Sequence, residues 1–365
     1  MVKKLTILLI FILLICYSIP VILLFYQSVR SRNPIKTKAE PFVSIIVAAH
    51  NECDSVLKCL ETLCVQNYPR SKFEIIVVDD GSSDCTRERL ELFSKKEPII
   101  FLKNSNRQKY KSSKKAALEL AISRARGDVL LFTDADCTAP KTWIKSMTGY
   151  FEKNTGLVAG FSPQIADKKL LHHILVIDAA AAAFVSAGTI AYGRGITCAG
   201  RNLAYRKEAF DNIGGFSDVP DSLSGDDDFI LQAISKHSMW KIKYAADFST
   251  LVPARGPENI KMFLHQKQRH ISAGKYFPAK ARVGFFLFHI LNLFLWACMV
   301  LALLTTPVLL IPLLLKTAID YMVLSRFLAQ FKIKIEWKSF MIWEILFLYY
   351  NTIVGPIGLL KRTKW

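Results

Sequence analysis

Residues Leu5–Val29 form an almost uninterrupted apolar run, broken only by Thr6, Ser18, Pro20, Gln27 and Ser28. A bilayer core of about 30 Å needs roughly 20 helical residues, so this run is long enough to span one. It exceeds the apolar region of a signal peptide, and no small-residue cleavage motif closes it, which predicts a retained anchor. The C-terminal third repeats the pattern. Val283–Leu304 is one clear span, Pro307–Phe327 a second interrupted by Pro312, Lys316 and Asp320, and Phe340–Leu360 a third containing Glu344 and Pro356. Lys316, Asp320 and Glu344 are costly against lipid, so they are expected to face other helices, a substrate path or the interface. Between these regions lie about 240 residues that read as one soluble domain. The expected organisation is an anchor over 1–32, a globular domain over 33–282, and a C-terminal region of two to three spans over 283–365.

Charge orients this layout. The chain carries 48 Lys and Arg against 30 Asp and Glu, a net charge of +18. Arg30, Arg32, Lys36 and Lys38 follow the anchor, and Lys275, Lys280 and Arg282 precede the second span. The positive-inside rule then predicts an integral protein of the cell membrane with its globular domain in the cytosol. Lys332, Lys334 and Lys338 fit a cytosolic loop, whereas Lys361, Arg362 and Lys364 do not if the last segment crosses fully. Either that segment is re-entrant or interfacial, or the tail is an exception. Membrane flanks and anionic head groups account for the basic balance, so the bilayer is the expected partner and nucleic acid is not. The eight cysteines show no paired metal-ligand spacing, and a cytosolic domain predicts reduced thiols.

Within the globular part, Pro41–Ala49 is apolar and β-branched and reads as a buried strand. A helical pattern follows over Ser55–Val65, then a second strand over Phe73–Val78, a helix over Thr86–Lys96 and a short strand over Ile99–Leu102. Lys114–Ala125 is helical, and Asp128–Phe132 is a strand. Such alternation predicts an α/β domain with a doubly wound, mainly parallel sheet, whose ligand crevice lies beyond the carboxyl ends of the strands. Asn51-Glu52, Asp79-Asp80 and Asp134-Asp136 each sit at such an end, so three distant stretches converge on one rim.

Asp134-Ala135-Asp136 can turn two carboxylates toward one cleft, where Mg²⁺ or Mn²⁺ would join them to phosphate oxygens. A lone D-x-D is often a solvated turn; its place after an apolar strand favours the site. Asp79-Asp80-Gly81-Ser82 can accept hydrogen bonds from a ribose hydroxyl or a base imide, with Gly81 allowing a tight turn. Asp84 suits a cap for the following helix.

The segments PFVSIIVAAHNE, EIIVVDDGSSDCT, GDVLLFTDADCTAPKTWI, CAGRNLAYRKEAFDNIGGF, GDDDF and QKQRH occur in the order seen in family 2 glycosyltransferases. The chain resembles the membrane-bound branch that includes cellulose, chitin and hyaluronan synthases, over about 41–270 and, in layout, the flanking spans. The resemblance implies a GT-A fold, a UDP-sugar donor, a divalent cation and inversion at the anomeric carbon. It implies that Asn51, Glu52 and Asp80 hold the nucleoside with Asp79 beside them, that Asp134 contacts the donor's ribose or phosphate, and that Asp136 binds the metal. Lys114 and Lys115 resemble the family's lysine near the nucleotide, and equally suit a solvated helix start.

In Gly225-Asp226-Asp227-Asp228 the family reads Glu-Asp, the second residue acting as base; here that position is Asp227, with Asp226 in place of glutamate. Inverting transfer needs such a carboxylate to take the acceptor hydroxyl's proton, and adjacent carboxylates can raise one pKa toward a useful value. Acids also favour a helix N-terminus. Gln266-Lys267-Gln268-Arg269-His270 resembles the Q-x-x-R-W element, in which arginine meets the donor diphosphate and tryptophan lies under the acceptor sugar. His270 replaces tryptophan, which bears on processivity and leaves transfer untouched. Gly200 and Asn202 belong to a loop that lines the acceptor side in the family. His172-His173 and Asp178 invite a metal reading, but the alanine run after them predicts a partly buried or interfacial helix.

The expected function is a membrane-bound inverting glycosyltransferase that uses a nucleotide-sugar and a lipid-linked or glycan acceptor, in cell-envelope glycan biosynthesis beside other membrane glycan-assembly proteins. The rivals are a processive polysaccharide synthase, a non-catalytic nucleotide-sugar-binding scaffold, and a nucleotidyltransferase, whose chemistry leaves Asp227 and Arg269 unexplained.

Overall fold

The computed structural model describes residues 2–30 and 37–360. Arg32, Lys36, Lys361, Arg362 and Lys364, which entered the orientation argument, lie outside the described residues. The N-terminal apolar run is one helix, α1 (Val2–Arg30), continuous through Pro20. Strands and helices then alternate as expected: β1 (Val43–Ala49), α2 (Val56–Cys64), β2 (Phe73–Asp79), α3 (Thr86–Ser94), β3 (Ile100–Lys103), α4 (Ser113–Arg124) and β4 (Val129–Asp134). These four strands are mutually parallel in the order β3-β2-β1-β4, so their carboxyl ends share one rim. Successive residues of a strand face opposite sides of the sheet. Ile46 of β1 belongs to the same hydrophobic core as Ala117, Ala121 and Ile177, whereas Ile45 and Val47 belong to a second core with Leu60, Leu63 and Trp143.

The second half of the domain is less regular. It comprises α5 (Trp143–Thr148), β5 (Thr155–Gly160), β6 (Gln164–Ile165), α6 (Lys169–Ala191), β7 (Leu203–Arg206), α7 (Lys207–Asn212), α8 (Asp226–Lys236), β8 (Lys241–Ala245), β9 (Ala254–Arg255) and α9 (Ile260–Ala273). β7 enters the sheet antiparallel to both β4 and β5, and β8 closes it parallel to β5, giving the order β3-β2-β1-β4-β7-β5-β8. The mainly parallel, doubly wound α/β sheet is thus present, with one reversed strand.

The C-terminal region forms α10 (Ala279–Leu304), α11 (Leu310–Ala329), α12 (Trp337–Tyr349) and α13 (Gly355–Leu360). A π-helical turn, Tyr350–Val354, joins the last two. Pro356 explains it: proline lacks an N–H and clashes with the carbonyl four residues earlier, and widening one turn relieves both without ending the helix.

Among the described residues five helices are long and apolar enough to cross a membrane, one more than the sequence suggested. The extra one is α6, with 61% of its most apolar window buried against 22% to 39% in the other four. It packs among α1, α11, α12 and β8, so one hydrophobic core runs from the sheet into the apolar bundle. The charged residues of the bundle meet each other, as expected from their cost against lipid. The Lys316 ammonium lies 2.5 Å from Glu344 Oε2 and 3.0 Å from Asp320 Oδ2, and the Tyr17 hydroxyl donates to Asp320 at 2.7 Å.

The expectation that every cysteine is a free thiol is corrected. Cys53 and Cys85 form a disulfide with Cα atoms 5.3 Å apart, because the loops leaving β1 and β2 run side by side.

Candidate active site

A cavity of about 2260 Å³ opens at the carboxyl rim of the sheet and continues among α1, α6 and α10. Each strand end contributes one wall. After β1, Asn51 adopts a left-handed backbone (φ 55°), and its Oδ1 accepts the Ser83 N–H at 2.8 Å, tying this loop to the one after β2. Glu52 faces the cavity, its Oε2 accepting from Ser55 Oγ at 2.5 Å, and burial raises its pKa above the ordinary value.

Asp79 and Asp80 divide their tasks. Asp79 is fully buried and accepts from Arg87 Nε at 2.8 Å and the Ser82 N–H at 3.1 Å. Burial pushes its pKa up, and these hydrogen bonds outweigh that, so the carboxyl lies below its usual value. Asp79 therefore fixes the loop, while Asp80 lines the cavity. Asp80 Oδ1 accepts from Asn104 Nδ2 at 2.7 Å and lies 3.3 Å from Arg107 Nε. Gly81 (φ +69°) lets Arg107 lie against it; a Cβ there would come within 2.8 Å of the guanidinium.

At the end of β4, Asp134 accepts from Lys114 Nζ of α4 at 2.5 Å. Burial opposes the charge on Asp134, but Lys114 wins and holds its pKa low. Asp136 has no ion pair at salt-bridge distance among the described residues: burial, then the charges of Asp134 and Glu52, push its pKa up to about 6, with the more distant Arg201 opposing. Three hard-oxygen carboxylates crowd one wall and repel each other, a donor set that fits Mg²⁺ or Mn²⁺.

Opposite stands the start of α8. Gly225 is left-handed (φ 90°), which turns the chain so that Asp226, Asp227 and Asp228 form the first helical turn. Asp227 Oδ2 accepts the Gly200 N–H at 2.6 Å, and Asp228 Oδ1 the Cys198 N–H at 2.9 Å. Burial raises the pKa of Asp227, with Lys114 and the backbone donors opposing. Asp226 is pushed up to about 6 by burial, and lies 3.4 Å from the buried Lys115 ammonium, which opposes the shift. Cys198, Asp227 and Asp228 bring ligand atoms within 4.8 Å of one another, the one such cluster among the described residues, and one oxygen of each carboxylate accepts a backbone amide.

Helix α9 supplies the third wall, with Gln266, Arg269 and His270. Burial lowers the Arg269 pKa and Asp134 partly restores it; the guanidinium stays charged. His270 is open to the cavity yet lies deep in the protein. Burial, then the charges of Lys267, Arg269, Arg201 and Lys114, hold its pKa well below 6.5, so the ring is neutral.

The cavity thus gathers Glu52, Asp80, Lys114, Asp134, Asp136, Gly200, Asp226, Asp227, Gln266, Arg269 and His270. Three expected site residues stand outside its lining: Asn51, Asp79 and Asn202. Asn202 is a correction with a clear cause. Its buried amide donates to the Phe161 and Thr250 carbonyls, each at 2.8 Å, and accepts the Trp143 indole N–H at 3.0 Å, so it pins β5 and β7 rather than facing an acceptor. Sequence reasoning gave no role of its own to Arg201, within the acceptor-side loop, and missed Arg107, which pairs with Asp80; both line the cavity. The only sequence signal for either is a basic residue inside a polar loop.

Residues 44–214 match the family model for glycosyl transferase family 2, and residues 171–351 that for glycosyl transferase family group 2. The probable glycosyltransferase YdaM of Bacillus subtilis is 27% identical over 255 residues, 68% of this chain and 59% of that protein. Glycosyltransferase AglE of Haloferax volcanii is 35% identical over 111 residues, 30% of this chain and 35% of its own length. The match therefore spans between a third and three fifths of these curated relatives. The mannosyltransferase PcManGT from Pyrobaculum calidifontis, solved with GDP-Man and Mn²⁺, superposes with a TM-score of 0.62 at 18% identity, covering 98% of this chain and 99% of that one. That likeness shows a shared fold.

Proposed function

The chain belongs to glycosyltransferase family 2, and we propose that it is a membrane-bound, inverting transferase that moves a sugar from a nucleotide-sugar to a lipid-linked or saccharide acceptor. The observation that carries this reading is the meeting of Asp80, Asp136, Asp227 and Arg269, from four separate elements, around one cavity.

Asp80 and Glu52 would hold the nucleoside and Asp134 with Asp136 a divalent cation. PcManGT was solved with Mn²⁺, and the crowded carboxylates here suit Mg²⁺ or Mn²⁺ equally. Such a cation neutralises the diphosphate. Asp227 takes the proton of the acceptor hydroxyl as its oxygen bonds to the anomeric carbon, while the bond from that carbon to the diphosphate oxygen breaks on the opposite face. The departing charge is met by Arg269 and Lys114, cations already in place on the cavity wall. A raised Asp227 pKa makes it the stronger base.

The acceptor reading has its own support. Beyond the carboxylates the cavity is walled by Val21, Ala182, Phe285, Phe288 and Leu293, from three apolar helices, which suits an acceptor with a lipid tail. Lys38, Lys275, Lys280 and Arg282 favour a cytosolic face for the sheet domain. A neutral, compact His270 favours single transfer over processive synthesis.

The test is a screen of UDP- and GDP-sugars with the purified protein in Mg²⁺ and Mn²⁺, scoring both transfer and hydrolysis. A UDP-sugar is the expected donor. Inertness toward every nucleotide-sugar in both metals sinks the reading and leaves a binding scaffold.

A further inference from the structure

Asp178 is buried in α6 and plays no part in the chemistry above. Its carboxylate nevertheless takes donors from two other parts of the chain. The Lys267 ammonium of α9 is ion-paired to Oδ2, while the Tyr350 hydroxyl at 2.7 Å and the Trp343 indole N–H at 3.4 Å point at Oδ1. Lys267 also lies over the rings of Phe263 and Tyr350, 5.3 and 5.6 Å from their centroids. Tyr350 opens the π-helical turn. The segment after that turn closes on α9 as well: a Cβ on Gly358 would lie 2.6 Å from the Gln268 carbonyl oxygen.

A buried ion pair loses to desolvation much of what its attraction supplies, so it is poor evidence of stabilisation, and fixing one arrangement is its better-attested use. Here the arrangement is the rotation of α9 about its axis. Lys267 sits between Gln266 and Arg269, and successive residues on a helix turn by about 100°. Lys267 and Asp178 line the same cavity as Gln266, Arg269 and His270, and holding Lys267 on Asp178 therefore sets where those three face. We infer that Asp178 is a positioning residue for sugar transfer: by holding Lys267, it sets the approach of Arg269 to the departing diphosphate. The inference rests on the reading of Arg269 given above.

Asp178→Asn keeps the side chain's size and leaves an oxygen for Tyr350 and Trp343, but releases Lys267. Its kcat is expected to fall roughly ten- to a hundredfold, the scale of a misplaced catalytic group, with the donor KM little changed. In an Arg269→Ala background the same substitution should add no further loss. Glu336→Gln, which removes the exposed contact of Glu336, just before α12, with Lys169 of α6 and its contact with His173, should leave kcat unchanged. An unchanged kcat in Asp178→Asn overturns the inference, as does a full multiplicative loss on top of Arg269→Ala. If Arg269→Ala alone turns over normally, the reading of Arg269 has failed instead, and the two failures are told apart. Should Asp178→Asn melt early, the Asp178→Asn/Lys267→Gln double variant, which leaves no unpaired buried charge, carries the same comparison.

Discussion

The Asp227 carboxylate is held by the backbone N–H of Gly200, 2.6 Å from its Oδ2. A residue at the start of α8 is thereby fastened to the loop before β7, although 27 positions separate the two in sequence. The bond fixes one oxygen and leaves the other for chemistry. Asp227→Asn preserves an acceptor for Gly200 but has no basic oxygen. Transfer should drop by about 10²- to 10⁴-fold, the usual reach of a general base. Titration calorimetry should find donor binding nearly intact; turnover at the wild-type level removes Asp227 from the mechanism.

The pH profile follows from the same carboxyl. Burial raises the Asp227 pKa, so more of it is protonated at a given pH than of an exposed aspartate. The base is active only when deprotonated, so activity should fall as pH drops, with the acid limb of kcat/KM above the ordinary aspartate value. Lys114 opposes the shift, so Lys114→Gln should move the limb further up. A limb at or below the value of a free aspartate contradicts this account.

Asp136 bears on the metal. Its carboxyl faces Asp134 and Glu52, and that repulsion, added to burial, keeps its pKa near 6. A divalent cation would relieve it. Asp136→Ala should weaken donor binding and abolish the response to added Mg²⁺ or Mn²⁺, measured as turnover against metal concentration. Wild-type activity that survives a strong chelator argues that no cation takes part.

The first half of the domain was legible because β1, β2 and β4 are apolar and buried; β2 and β4 end in aspartate, and Glu52 follows three residues after β1. The four-residue β7 carries too little pattern to show itself, and its reversed direction comes from pairing between β4 and β5. Adjacent residues on a strand face opposite ways, and no pattern tells which of Asp79 and Asp80 meets the cleft. Asn202 shows the same ambiguity: an amide in a polar loop suits a sugar or three buried partners equally, and packing against Gly160 decided for the latter. Asp178 and Lys267, 89 positions apart, are invisible as a pair until the helices are assembled.

The bundle makes a stability prediction. Lys316 is shared by Asp320 and Glu344, and all three are buried. Lys316→Met strands two carboxylates with no cation, and breaking such a pair typically costs about 3–5 kcal/mol. The detergent-solubilised variant should melt well below wild type, whereas Lys316→Met/Glu344→Gln, with one charge removed on each side, should recover much of the loss. Equal melting of the single variant and wild type means that the cluster is hydrated and contributes little.

On the proposed reading, His270 would set how many sugars are added. A processive enzyme must hold the sugar it has just added, and an indole gives a broad apolar face for that. The imidazole here is smaller, and burial, helped by the surrounding cations, keeps it neutral. It can accept a hydrogen bond from a hydroxyl, but it covers less of a ring. With excess donor, mass spectrometry of the acceptor should find a single sugar added. His270→Trp should enlarge the stacking face without touching Asp227 or Asp136, and any second addition should appear there first. A ladder of products from the wild-type protein refutes single transfer while leaving the base and metal assignments standing.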